Sequence, residues 1–179
     1  MLVKVEEIKR RDSMKQLYIK QKVFSLNEKF TIKDKQENDV YYVEGSFMKI
    51  PKTFSIINTM KDEIALISKK AFSFLPKFHV DVNGKEVLTI KKEFSFFKAR
   101  YTIDGADIEV NGDWWDMDFQ ILHQGEVIGQ VNKEWFTWGD SYKVQVLDEA
   151  MEAIIIAIVV AIDCVKADES NASSAVVGG

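Results

Sequence analysis

Few residues in this chain are equipped for chemistry. Its 179 residues include two histidines and one cysteine beside 28 carboxylates. General acid-base work needs a titratable group within hydrogen-bond reach of a partner. His79 and Asp81 would share one face of a strand, but an imidazole beside a carboxylate is common in structure and weak as a sign of catalysis. His123 and Cys164 lie far from that pair in sequence. One cysteine excludes an internal disulfide framework, and with two histidines it leaves too few soft ligands for a Cys/His zinc site. Asp113, Asp116 and Asp118, with Asp104, Asp107 and Glu109 nearby, could offer oxygen ligands to a hard cation such as calcium. Their D-x-x-D-x-D spacing lacks the glycine and terminal glutamate of an EF-hand loop, and a solvated strand face with a turn accounts for them more simply. Neither a Gly-rich phosphate loop nor a nucleophile elbow nor a Walker-type lysine is present. Trp114, Trp115, Trp135 and Trp138 more often close the layers of a core than bind ligands. The reading is a non-enzyme without a metal or cofactor.

These residues must be positioned by a single fold, because a chain of this length supports one core. Hydrophobic residues make up 46% and charged residues 29%, near the globular average. The net charge of -4 offers no bulk attraction to nucleic acid, so an anion-binding patch has to be local. Charges at Lys4, Glu6 and Glu7 break any signal-peptide core, and the chain reads as cytoplasmic. Residues 1–13 read as a short helix or loose leader. Residues 166–179, KADESNASSAVVGG, read as a disordered tail that buries too little apolar surface to offset its ordering entropy.

Between these ends an aromatic, a polar residue and Ile or Val recur at Phe30–Ile32, Phe54–Ile56, Phe78–Val80, Tyr101–Ile103 and Phe119–Ile121. Most of these triplets are followed by a turn and a second β-rich run. The turns are Asp34 to Asn38, Asn83-Gly84, Asp104-Gly105 and Gln124-Gly125. Each unit reads as one hairpin, with the aromatic and the aliphatic residue on the same face. Half-units add up to eleven or twelve strands, starting near Leu17 and ending near Tyr142 to Val146, interrupted only by Pro51 and Pro76.

So many strands must stack or close to hide their edges, and the next segment decides between these. Ala153 to Ile162, AIIIAIVVAI, is apolar throughout, and Asp148, Glu149 and Glu152 stand where a helix N-terminus favours negative charge. Ten helical residues cover only about 15 Å, half of a bilayer's hydrocarbon core, which argues against a transmembrane span. A helix apolar on every side must be surrounded by protein. A barrel of about twelve strands is wide enough to hold it. The pattern therefore predicts a mainly β fold, a closed antiparallel barrel over residues 14–165 threaded by a C-terminal helix. The central core would comprise Ile154, Ile155, Ile156, Ile158, Val159 and Ile162. A plugged barrel leaves little room for a ligand, so function should lie on its outer surface.

The stretches Met14 to Phe24, Phe30 to Asp34, Tyr42 to Gly45 and, above all, Lys133-Glu-Trp-Phe-Thr-Trp-Gly-Asp-Ser-Tyr142 resemble the LURP-one-related family. That family belongs to the tubby C-terminal-like superfamily, together with the phospholipid scramblases. The resemblance runs from about Leu17 to Val165 and implies a twelve-stranded barrel around a hydrophobic C-terminal helix. It also implies a binding module: tubby-like proteins bind phosphoinositides through basic side chains on the barrel exterior. The chain shows no proline-rich leader, cysteine cluster or counterpart of the scramblase calcium segment. For a headgroup, the nearest match is Lys98-Ala99-Arg100, whose cations share a strand face, with Lys69-Lys70 and Lys91-Lys92 on neighbouring strands. The implied partner is an anionic phospholipid. A structural or regulatory barrel with a protein partner is the alternative.

Overall fold

The computed structural model describes residues 14–20, 29–46, 50–93, 100–105, 107–113, 115–134 and 141–177. The leader 1–13 and residues 178–179 lie outside the described residues. Twelve strands follow in chain order: β1 (Lys15–Lys20), β2 (Lys29–Asp34), β3 (Asp39–Gly45), β4 (Thr53–Asn58), β5 (Glu63–Lys69), β6 (Lys77–Val82), β7 (Lys85–Glu93), β8 (Arg100–Asp104), β9 (Ile108–Asp113), β10 (Asp118–His123), β11 (Glu126–Glu134) and β12 (Ser141–Val146). A 3-10 turn at Glu149–Met151 leads into helix α1 (Glu152–Val177). Pro51 and Pro76 both fall in loops, where a missing N–H costs no ladder bond.

The strands form one antiparallel sheet in the order β8-β7-β6-β5-β4-β3-β2-β1-β12-β11-β10-β9. β1 joins the beginning of the chain to its end, pairing with β2 on one side and with β12 over all six of its residues on the other. Successive strands alternate direction, so the sheet curls with its connections at two ends. The turns after β2, β4, β6 and β10 share the end where α1 enters. Asn83-Gly84 and Gln124-Gly125 take positive φ at both positions (50° and 75°, 53° and 83°), the backbone that a two-residue hairpin turn needs.

Closure is nearly complete rather than complete, because β8 and β9 are the two ends of the strand order. Asp104-Gly105, expected to head a hairpin, does not. Gly105 has φ 121° and lies so close to β7 that a Cβ there would be 2.5 Å from the Val87 carbonyl oxygen. The Ile108 N–H donates to the Gly105 carbonyl at 3.2 Å, a tight turn that directs the chain onward instead of back along β8. β8 then stays with β7, and β9 pairs along its whole length with β10.

The aromatic-x-aliphatic rhythm builds the inner wall. Phe54, Ile56, Phe78, Val80, Phe119 and Ile121 are all buried, as is Ile32, with Phe30 partly buried at the margin. Against this wall α1 buries every residue from Ile155 to Ile162 at 1% exposure or less. A helix on an open sheet would expose one side, so burial around the full turn shows that it threads the barrel. Of the expected core residues, Ile155, Ile156, Ile158, Val159 and Ile162 are buried, and Ile154 is half-buried at the entrance. Ile and Val are indifferent helix formers; the roughly 1.5–3 kcal/mol gained by burying each side chain outweighs that preference.

Polar contacts guide the helix in. The Asp148 carboxylate accepts the Ala150 N–H at 3.0 Å, Lys15 pairs with Glu152 at 2.6 Å, and the Tyr41 hydroxyl donates to Glu152 at 2.6 Å. Burial, with the Glu152 carboxylate beside it, holds the Tyr41 phenol well above its ordinary pKa. Gly129 on β11 gives α1 room, since a Cβ there would meet Ile155 Cγ2 at 3.0 Å.

At the far end the helix does not stop at Val165. It continues to Val177 through most of the segment expected to be disordered. Along this extension Asp168 and Glu169 meet Lys69 and Lys92 at the barrel mouth. Among the described residues no helix is long and apolar enough to cross a membrane.

Candidate functional site

The interior is occupied by α1, so the surfaces available to a ligand are the outer wall and the two ends. The mouth, where α1 emerges, gathers most of the residues that sequence reasoning singled out, though not as one cluster.

Alternation along β5 places Ala65, Ile67 and Lys69 on the inner face, and along β7 it places Leu88, Ile90 and Lys92 there. Lys69 and Lys92 therefore turn toward the helix, not outward as expected. They form ion pairs with Asp168 and Glu169 and fasten the helix to the rim. Lys91 faces outward and pairs with Asp104 on β8. Lys70 is exposed. Lys98 lies outside the described residues, and Arg100 is placed only as the first residue of β8. Of the six expected headgroup residues, Lys70 and Lys91 are outward cations among the described residues, and Lys91 is paired with Asp104.

A feature the sequence reading missed lies next to Lys70. The β3–β4 and β5–β6 loops leave the barrel side by side, because the Lys69 N–H donates to the Lys52 carbonyl at 2.9 Å. The second loop is closed at its base by the Lys70 N–H on the Lys77 carbonyl at 2.8 Å. On these loops Ile50, Phe72 and Phe74 are 83%, 101% and 94% exposed. Residues 46–53 and 70–77 contain no Asp or Glu, and Lys52, Lys70 and Lys77 flank the apolar side chains. Lys52 Nζ sits 5.2 Å from the ring centre of Phe54. Two segments lacking acid in a net acidic chain was the available signal.

About half-way round the rim the character reverses. Asp116 and Asp118 line a hollow of about 320 Å³ with Asn132 and Lys133. Two carboxylates of this rim serve local structure: Asp113 accepts the Asp116 N–H at 3.0 Å, and Asp118 accepts from Asn132 at 2.9 Å across the β10–β11 ladder. Among the described residues no three His, Cys, Asp or Glu side chains are placed to hold a metal. Trp115 is 40% exposed on the same rim; Trp114, Trp135 and Trp138 lie outside the described residues.

Just inside the mouth, Asp163 of α1 is buried and accepts the Tyr142 hydroxyl hydrogen at 2.6 Å. Burial raises its carboxyl above the usual carboxylate range, opposed by the Tyr142 bond and by the Lys166 charge. Lys166 is shifted downward by burial, against the pull of Asp163, Asp116 and Asp113.

His79 points outward on β6, and its partner is Glu86 rather than Asp81. Nδ1 lies 3.1 Å from Glu86 Oε2, and the Thr89 hydroxyl donates to Glu86 Oε1 at 2.9 Å. Those two contacts hold the Glu86 carboxyl below its ordinary pKa, His79 contributing most. The Thr89 oxygen also lies 3.3 Å from His79 Nδ1, so the three side chains form one polar cluster on the outer wall.

The chain that folds into this barrel matches a known family model, described as LURP-one-related, over residues 15–163. The chain belongs to the LURP-one-related family. A curated relative, "Uncharacterized protein YxjI" of Bacillus subtilis (strain 168), is 32% identical over 160 residues, which is 89% of this chain and 99% of that protein. The X-ray structure of a protein from Arabidopsis thaliana matches with a TM-score of 0.53 at 14% identity, covering 82% of this chain and 89% of that one. At that identity the likeness speaks for the fold alone, a twelve-stranded, nearly closed antiparallel barrel with one C-terminal helix. For the LURP-one-related chain described here, the Trp135 to Asp140 segment that carries the most specific part of the resemblance lies outside the described residues.

Proposed function

We propose that this LURP-one-related barrel is a non-enzymatic binding module that recognises anionic phospholipid headgroups on its outer surface, at the mouth. The loop pair supports this most: Lys70 and Lys77 stand at the two ends of one loop, beside a second, and neither segment carries a carboxylate in a chain of net charge -4. Two or three such cations can hold a phosphate by charge-assisted hydrogen bonds. The sequence expectation centred on Lys98 and Arg100, with Lys69, Lys70, Lys91 and Lys92 as additions; because Lys69 and Lys92 are engaged by the helix, the proposal puts its weight on the rim beside Lys70.

Vesicle sedimentation tests the proposal. Phosphatidylcholine vesicles containing phosphatidylserine or a phosphoinositide should pull down the full chain, and phosphatidylcholine alone should not. Binding should weaken as salt rises, because exposed charges are screened beyond about 10 Å at 0.1 M. Lys70→Glu/Lys77→Glu should abolish it without moving the thermal transition, and Lys98→Glu/Arg100→Glu reports separately on the pair first singled out in the sequence. Equal binding to neutral and anionic vesicles, full retention in both double variants, or no binding at all would overturn the lipid reading in favour of a protein partner.

A further inference from the structure

We infer that Ile50, Phe72 and Phe74 are a membrane-inserting element that docks the barrel mouth-down into the interfacial layer of an anionic bilayer. This rests on the lipid reading above and adds a mode of engagement that headgroup binding alone does not require.

Single exposed apolar residues are ordinary on protein surfaces. Three nearly fully exposed ones on two neighbouring loops at one rim are not, and such groupings mark interaction sites. Phe72 also has φ 56°, a left-handed backbone that a bulky side chain rarely adopts. The loop thus holds an aromatic ring outward at 101% exposure in an unfavourable conformation. Charge selects the occupant: Lys70 and Lys77 bracket the apolar tips and neither segment carries an acid, so this part of the rim complements an anionic bilayer. Interfacial binding combines buried apolar area with attraction to anionic lipid, and the two loops supply both. The acidic rim at Asp113, Asp116 and Asp118 lies on the far side of the mouth, so the barrel would tilt onto the Phe72 side.

The inference is tested on the full chain with vesicles of phosphatidylserine and phosphatidylcholine. Phe72→Ser/Phe74→Ser should keep the wild-type melting curve and lose binding by a factor on the order of ten or more. In a Cys164→Ala background, Phe74→Cys carrying an environment-sensitive dye should brighten on the vesicles and be quenched by nitroxide-labelled lipid. Met60→Cys, an exposed position at the opposite end of the barrel, should do neither. Sedimentation without brightening at position 74, or undiminished binding by the double serine variant, would overturn insertion while leaving headgroup recognition in place. Brightening at position 60 would overturn the orientation. Failure of the wild type to sediment would sink both readings and assign the exposed loops to a protein partner.

Discussion

Tyr142 on the inner face of β12 donates its hydroxyl hydrogen to Asp163 Oδ1 of α1 at 2.6 Å, inside the barrel. Both residues are buried, and Asp163 Oδ2 has no hydrogen-bond partner among the described residues. An apolar helix therefore carries one costly group past the wall, and β12 supplies its partner. Removing one side of such a pair leaves the other desolvated, which costs about 1–3 kcal/mol. Tyr142→Phe should be destabilised by that amount in urea unfolding at pH 7.

The same pair sets a pH dependence. Because burial raises the Asp163 carboxyl pKa, the folded state holds that proton more tightly than the unfolded chain. Its contribution to stability thus falls as pH rises from the ordinary carboxylate range through the raised folded value. Asp163→Asn keeps an oxygen to accept from Tyr142 and removes the titration. The variant should gain stability relative to wild type more at pH 7 than at pH 4. An identical difference at both pH values would rule out this origin.

Ile156 and Ile158 have no surface to which a charge could escape, at 1% and 0% exposure. Ile156→Asp or Ile158→Asp should yield no folded protein, as judged by circular dichroism and sedimentation. Ile158→Ala should fold with a loss of about 2–5 kcal/mol. A soluble aspartate variant with wild-type melting would place the helix outside the barrel.

The clasp at the mouth is partly exposed and correspondingly weak. Asp168→Ser/Glu169→Ser should cost about 1 kcal/mol or less per pair, and less still at high salt. Hydrogen exchange should report it better: amides beyond Lys166 should lose protection while Ile155 to Val165 keep theirs. Unchanged protection beyond Lys166 would show that the two ion pairs do not hold the end of the helix.

Gly112 has φ 123°, and a Cβ there would meet the Asp118 carbonyl oxygen at 2.7 Å and Phe119 Cα at 2.8 Å. Gly84, at φ 75°, has nothing within 4 Å. Gly84→Ala should cost about 1–2 kcal/mol for its left-handed backbone. Gly112→Ala should cost clearly more, because backbone must also move; equal melting temperatures would contradict this.

Strands and helix were legible in the sequence because each rests on local spacing. The alternation of Phe54 with Ile56 or Phe78 with Val80 chooses a face wherever the strand lies, and Asn83-Gly84 specifies its turn through backbone sterics alone. The run from Ala153 to Ile162 is apolar in every direction, and only enclosure satisfies that. Lys69 and Lys92 were readable too, since alternation from Ile67 and Ile90 turns them inward. Their identity as lysines suggested the surface instead. What overrode that suggestion is invisible locally, because Asp168 is 99 residues from Lys69 and Glu169 is 77 from Lys92. Only the threaded helix brings those charges together. Tertiary structure likewise opened the seam between β8 and β9, where Gly105 meets the β7 backbone, and chose which apolar residues stayed outside. Phe72 and Phe78 are the same residue type six positions apart, one 101% exposed and the other 2%. Pattern places Phe78 on a wall; only the register of β5 with β6 decides that the chain between them leaves the barrel and carries Phe72 into solvent.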